Sequence, residues 1–279
     1  MRRGDLPAEE ALRIARARGF TLLEMAVVLV IIGIMYAIWS YSVPWLQDTG
    51  MRDRTREIMR ETEKALLLFA ETNNRLPCPD STDPPNGLEG GGAAPSCTAG
   101  DAAVGQVPYE TLLLSAPVQD SRHVPITYAL YRNSGAADLG VLLNRIDTMD
   151  DVDESDAVTP TLNICDFCEA LRLDEAASSS NGFASVSTQT TAAGGCGSGA
   201  LLNQAYVLAS SGLEDRDGVG GLFDGDNATA TATAPCFASP EQGVSDTYDD
   251  VVSAVSFKHL IGELCRSPVC LYNLTPVFP

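Results

Sequence analysis

Lysine is almost missing from this chain. Its 279 residues include two Lys, Lys64 and Lys258, beside sixteen Arg, and the net charge is −19. A chain this acidic has no basic patch with which to neutralise phosphates, which argues against direct nucleic-acid binding. Neither Lys follows a Gly-rich run, so a phosphate-binding P-loop is excluded. Histidine is equally scarce, at His123 and His259, both read as structural. There is no His-Glu-x-x-His pair for a zinc protease and no Gly-x-Ser-x-Gly elbow for a hydrolase, so an enzymatic role has little to stand on. No internal repeat is present. Cysteine is absent from the first 77 residues, then occurs eight times. Charge is absent between Glu24 and Asp48, and no second apolar run of that length follows. The acidic surplus favours solubility, cation binding or life at high salt, and composition does not separate these.

What stands out is the string Arg18-Gly19-Phe20-Thr21-Leu22-Leu23-Glu24-Met25, followed by apolar residues to Trp45. The run is long enough to span a bilayer. One carboxylate, Glu24, sits at its edge, where a charge in hydrocarbon costs about 3 kcal/mol unless paired. Residues 1–19 hold five Arg against Asp5, Glu9 and Glu10. They read as a basic cytoplasmic flank under the positive-inside rule, too polar for a secretory signal core. Everything after about residue 46 is then expected outside the cytoplasm. Tyr36, Trp39, Tyr41 and Trp45 read as an interfacial aromatic belt.

This arrangement resembles the class III signal of type IV prepilins and pseudopilins. The resemblance implies cleavage by a prepilin peptidase between Gly19 and Phe20 and methylation of the new N-terminus at Phe20. It implies that Glu24, then the fifth residue, pairs with the terminal amine of a neighbouring subunit during assembly, removing two charges from lipid together. The other implied partners are further pilin or pseudopilin subunits and an inner-membrane assembly platform. The implied fold is α+β: a long N-terminal helix, membrane-spanning in its first half, packed against an antiparallel sheet. The expected organisation is a leader at 1–19, an assembly helix at 20–46, the exposed half of the helix at 47–75 and a globular domain at 76–279. The middle of the chain is also similar to a looser group of pilin-like proteins, through Leu76-Pro77-Cys78-Pro79, Val107-Pro108-Tyr109-Glu110-Thr111-Leu112, Tyr128-Ala129 and Asp249-Asp250-Val251-Val252.

Helical spacing of Ile58, Met59, Thr62, Leu66 and Phe69 predicts an amphipathic helix over 49–74, with Arg52 and its charged neighbours on the outer face. Pro44 is expected to kink or loosen the long helix. Strands are expected at 126–131, 205–210 and 249–257, an apolar stretch at 141–146, and a short helix at 259–265. The Ser/Thr/Gly-rich segment 178–199 reads as an exposed excursion.

Two constellations could carry chemistry. The loop from Ser210 to Asn227 is rich in Gly and Asp, and it resembles the calcium loop of the major pseudopilin of type II secretion. The matching ligands are the Leu213 carbonyl, Asp215, Asp217, Asp224, Asp226 and Asp249, with Asp246 and Asp250 nearby. Calcium takes about six to eight oxygen ligands, and Gly lets carbonyls turn inward to supply some of them. The spacing is not that of an EF-hand. A solvated acidic loop is the competing reading. The second constellation is Cys165-Asp166-Phe167-Cys168, whose CxxC spacing suits a redox pair, half a zinc site or structural disulfides. The even set Cys78, Cys97, Cys165, Cys168, Cys196, Cys236, Cys265 and Cys270 in an oxidising compartment favours disulfides. Neighbours in sequence suggest Cys78 with Cys97 and Cys265 with Cys270, leaving the middle four open.

The reading is therefore a minor pilin or pseudopilin subunit of a type IV pilus or type II secretion filament. A calcium-dependent adhesin or binding module at a filament tip is the alternative.

Overall fold

The computed structural model describes residues 21–92, 94–98, 100–133, 138–142, 163–177, 183–189, 195–197, 201–219, 221–231 and 233–266, without the side chains of 40–48. Two compact units divide at Asp48/Thr49. Helix α1, Leu22–Asn73, contributes to both, and its helical conformation continues through Pro44.

In the first unit, α1 begins where Thr21 caps it: the Thr21 hydroxyl accepts the Glu24 backbone N–H at 3.2 Å. The order Thr-x-x-Glu is that of a helix N-terminal capping box, and an acid in the first turn is stabilised by the helix dipole. Leu22–Trp39 is the one helix among the described residues long and apolar enough to cross a membrane, and no part of it is covered by protein.

In the second unit, α1 buries Arg52, Thr55, Met59, Thr62, Leu66 and Ala70, a seam at intervals of three and four residues. The expected face is present, with Ile58 and Phe69 half-buried at its edge. Arg52 departs from expectation. It is buried because its guanidinium donates to the main-chain carbonyls of Asp249 and Asp250 rather than facing water.

The seam joins one core with a four-stranded antiparallel sheet. Its strands are β1 (Val104–Gln106), β2 (Thr127–Leu130), β5 (Tyr206–Ser210) and β7 (Val251–Val255), in the order β1-β2-β5-β7. Central strand β5 is buried along its whole length, so both of its faces are covered. Leu130 faces Tyr206 and Tyr128 faces Leu208 across β2 and β5. The Ser253 hydroxyl of β7 bonds Glu63 of α1, fixing the helix over that strand. The molecule is thus α+β, with an N-terminal apolar helix, further helices and an antiparallel sheet, matching a pilin-like fold.

A second sheet has the order β4-β3-β6, from β3 (Ser185–Ser187), β4 (Leu201–Asn203) and β6 (Cys236–Phe237). Strand β3 is fully buried, which corrects the reading of an exposed excursion at 185–187; Thr188 and Gln189 are exposed. Its serines and Val186 pair with β4 and β6, so low apolar content did not mean solvent. Helix α2 (Ile164–Glu175) carries the CxxC, and Asn163 with Asp166 closes a capping box at its start. Strand β7 stops at Val255, and α3 (Phe257–Leu264) starts two residues later, capped by Ser256. Phe257 therefore opens a helix instead of closing a strand. In the 141–146 stretch Val141 is buried without forming a strand, and 143–146 lie outside the described residues.

Disulfides tie these parts together. Cys78 is bonded to Cys97, Cys168 to Cys265 and Cys196 to Cys236. Cys265 thus pairs with Cys168 and not with Cys270, because α2 and α3 pack side by side. Cys165 is also disulfide-bonded, and Cys270 lies outside the described residues. With Cys168 engaged by α3, the CxxC is a structural feature and not a redox pair.

Leu66 is fully buried at the middle of the α1 seam. Leu66→Ala should destabilise the second unit by about 2–5 kcal/mol. Urea unfolding of the detergent-solubilised protein, followed by tyrosine fluorescence, measures this; a loss under about 0.5 kcal/mol would mean α1 is not docked as described.

Candidate functional site

The acidic loop between β5 and β7 is organised around Asp224. This residue is fully buried. Its Oδ1 accepts the backbone N–H groups of Arg216 at 2.8 Å and Asp217 at 3.2 Å, and its Oδ2 accepts that of Asp249 at 2.9 Å. Its own N–H donates to Asp250 Oδ2 at 2.9 Å. One carboxylate thus joins the start of the loop, its end and the entry to β7.

Two groups of carboxylates share Asp224. Asp215, Asp217 and Asp224 form the outer one; Asp224, Asp249 and Asp250 form the inner one, fully enclosed. Within each group the candidate ligand oxygens lie within 4.8 Å of one another, so either group could hold a metal ion. In the inner group, Asp249 Oδ2 accepts the N–H of Leu213 at 2.9 Å and lies 3.3 Å from Arg216 Nε. Asp250 Oδ2 accepts from Asn227 at 2.8 Å. The Oδ1 atoms of Asp249 and Asp250 are both buried without a hydrogen-bond partner. An orphaned buried carboxylate oxygen is costly, and a cation is one group that would satisfy it. Gly212 makes room for this packing. Its φ is +66°, and a Cβ there would lie 2.0 Å from Asp249 Oδ1.

The electrostatics follow from burial. Burial is the main cause that pushes the Asp250 carboxyl up to about 7; the bonds from Asn227 and the Asp224 N–H oppose it, while the charges of Asp224 and Asp249 add to it. Asp249 is raised for the same leading reason. Asp217, half-buried, is held below the usual carboxylate range by the N–H groups of Gly225 and Val219.

The expected ligands are therefore partly assembled. Asp215 and Asp217 meet Asp224 in the outer group, and Asp249 meets Asp224 in the inner one. Asp226 does not join them: the 3-10 turn Gly225–Thr229 carries it away, and its Oδ2 accepts the Cys196 N–H at 3.1 Å. Leu213 offers its N–H to Asp249. Asp250, named in the sequence only as a neighbour, is a full member of the inner group, and Arg52 was missed altogether. His123 sits in a turn with φ +66°, and His259 lies in the first turn of α3.

At the other end of the chain, Glu24 is exposed on the first turn of α1. Gly19 and Phe20 lie outside the described residues.

Residues 14–38 match the family model described as the prokaryotic N-terminal methylation motif. The match marks a class III prepilin signal of type IV pilin or pseudopilin type. It supports a pilin-like or pseudopilin subunit, which points to a structural component, and it implies assembly with other pilin subunits and processing by the prepilin peptidase. With the apolar helix, it fits an inner-membrane-anchored protein. No curated protein and no solved structure gives a significant match to the chain.

The raised Asp250 carboxyl sets a pH dependence. Unfolded, it releases its proton near pH 4; folded, near 7. Between these values the folded state holds more protons, so stability falls as pH rises from about 4 to about 7. Asp217, shifted the other way, adds stability that is lost only below about pH 4. Thermal unfolding in a chelator should therefore show this component lost between about pH 4 and about pH 7, and Asp250→Asn should flatten it. An unchanged profile in Asp250→Asn would contradict the assignment.

Proposed function

We propose that this chain is a minor pilin or pseudopilin subunit of a type IV pilus or type II secretion filament. The prepilin peptidase removes residues 1–19, and Phe20 becomes the methylated N-terminus. Residues 20–46 form the assembly helix, 47–75 its exposed continuation and 76–279 the globular domain outside the cytoplasm. An inner-membrane platform moves the subunit from the bilayer into a periplasmic or surface filament. The observation that carries this reading is the methylation-motif match at 14–38, lying over an apolar helix with no protein cover.

Glu24 is the assembly residue in this reading. Its charge pairs with the Phe20 amine of a neighbour, so two buried charges are neutralised in the step that brings helices together. The size, long loops and multiple cysteines of the globular domain favour a minor role over an abundant one.

We also assign a calcium ion to the acidic loop, held by the inner carboxylates Asp224, Asp249 and Asp250, with Asp215 and Asp217 flanking. Calcium supplies a compact double charge for hard oxygen donors. The two orphaned Oδ1 atoms are the support for it.

Glu24→Gln separates charge from shape, since Gln also serves at the third position of a capping box. The variant should be cleaved and inserted normally yet fall at least about tenfold in co-purification with filament subunits, the equivalent of about 1.4 kcal/mol. Normal incorporation would contradict the charge-pairing role.

A further inference from the structure

The first turns of α1 in the second unit are held unlike the rest of the helix. From Met59 onward the seam is mainly apolar, with Met59, Leu66 and Ala70 in the core. Between Thr49 and Ile58 the buried side chains are Arg52 and Thr55, both polar. Hydrophobic burial therefore contributes little to docking this stretch, and directional bonds carry more of it.

Both of these side chains lead to the acidic pocket. Arg52 donates to the carbonyls of Asp249 and Asp250, the residues whose carboxylates form the inner group. The Thr55 hydroxyl donates to the Ser121 hydroxyl at 3.2 Å and accepts the Ser121 N–H at 3.3 Å. The next residue, Arg122, donates to the Gly212 carbonyl at 3.2 Å, and Gly212 is the residue packed on Asp249. Two separate tethers from one helical segment thus end on the backbone around Asp249.

That backbone is also what the inner carboxylates hold in place. Asp224 grips the Asp249 N–H, and Asp250 grips the Asp224 N–H. Without a counter-ion, three buried carboxylates repel one another, with Arg52 and Arg216 as the nearby positive charges. That repulsion acts on the same two residues whose carbonyls Arg52 holds.

We infer that calcium in the Asp224–Asp249–Asp250 pocket governs how firmly residues 49–58 of α1 are held to the sheet, with Arg52 as the positioning residue that transmits occupancy to the helix. This rests on the calcium reading given above and adds a mechanical consequence to it. The cation fixes the Asp249–Asp250 backbone, the carbonyls keep their aim at Arg52, and the segment stays docked. Loss of the cation loosens 49–58 and spares 59–73, whose apolar seam does not depend on the pocket.

Hydrogen exchange on the full chain in detergent tests this, comparing Ca2+ with a chelator. Calcium should slow exchange across 49–58 by about tenfold or more and leave 59–73 and β5 nearly unchanged. Isothermal titration with Ca2+ runs in parallel. In Arg52→Met, Ca2+ should still bind, β5 should stay protected, and the calcium-dependent slowing of 49–58 should vanish; Arg52→Lys should restore part of it. Calcium binding with no change over 49–58 in the native protein would overturn the coupling alone. An unaltered calcium response in Arg52→Met would remove Arg52 from the transmission. No heat of binding and no exchange response would overturn the calcium reading and the coupling with it.

Discussion

An apolar helix with nothing covering it is the constraint on which the account of this molecule depends. Leu22–Trp39 is 18 residues of uncovered hydrocarbon surface, about 27 Å long at helical rise, against a bilayer core of about 30 Å. Such a surface must be covered by lipid or by other apolar helices. Both covers suit a subunit that waits in a membrane and later joins a filament core. Glu24, capped by its backbone onto Thr21, stands at the start of that surface. An unpaired carboxylate makes lipid the less comfortable of the two environments, and in the proposed reading a neighbour's amine adds to the preference for the helical cover.

The second unit solves a different problem, which is how to hold long, polar, Gly-rich connections against a small sheet. Disulfides do part of this: one closes the loop after α1 and another staples α2 to α3. Carboxylates add to this as acceptors for backbone N–H groups. Asp80 accepts from Thr82 and Gly87, Asp120 from Arg122 and Val124, and Asp224 from Arg216, Asp217 and Asp249. Much of the acidity is therefore architectural. In the inner pocket two carboxylate oxygens lie buried without hydrogen-bond partners, one on each of two adjacent residues.

The regular parts of the fold were legible in the sequence, and the parts fixed by distant pairing were not. The spacing of Met59, Thr62 and Leu66 announced the buried face of α1, and the aromatic and β-branched runs announced β2, β5 and β7. Strands of two or three residues, such as β3 and β6, carry no period to read; their neighbours in the sheet define them. Helix α2 did carry a signal, Asn163 and Asp166 as a capping box ahead of Phe167 and Leu171, but the cysteine spacing drew the reading elsewhere. Arg52 looked like a surface charge because its acceptors are main-chain carbonyls 197 and 198 residues away. Clustering of acids pointed to the loop but not to which carboxylates converge. One short 3-10 turn removes Asp226, and the residue just before β7 supplies Asp250.

The most direct test of the central claim is mass spectrometry of the N-terminus of the protein recovered from cell membranes and from sheared surface filaments. The account predicts a peptide beginning at Phe20, methylated on its amine, in at least one of these fractions. In sheared filaments it identifies a displayed pilus subunit, and in membranes alone it favours a periplasmic pseudopilus. A chain that retains Met1 in both fractions would contradict the account and leave Glu24 without its partner.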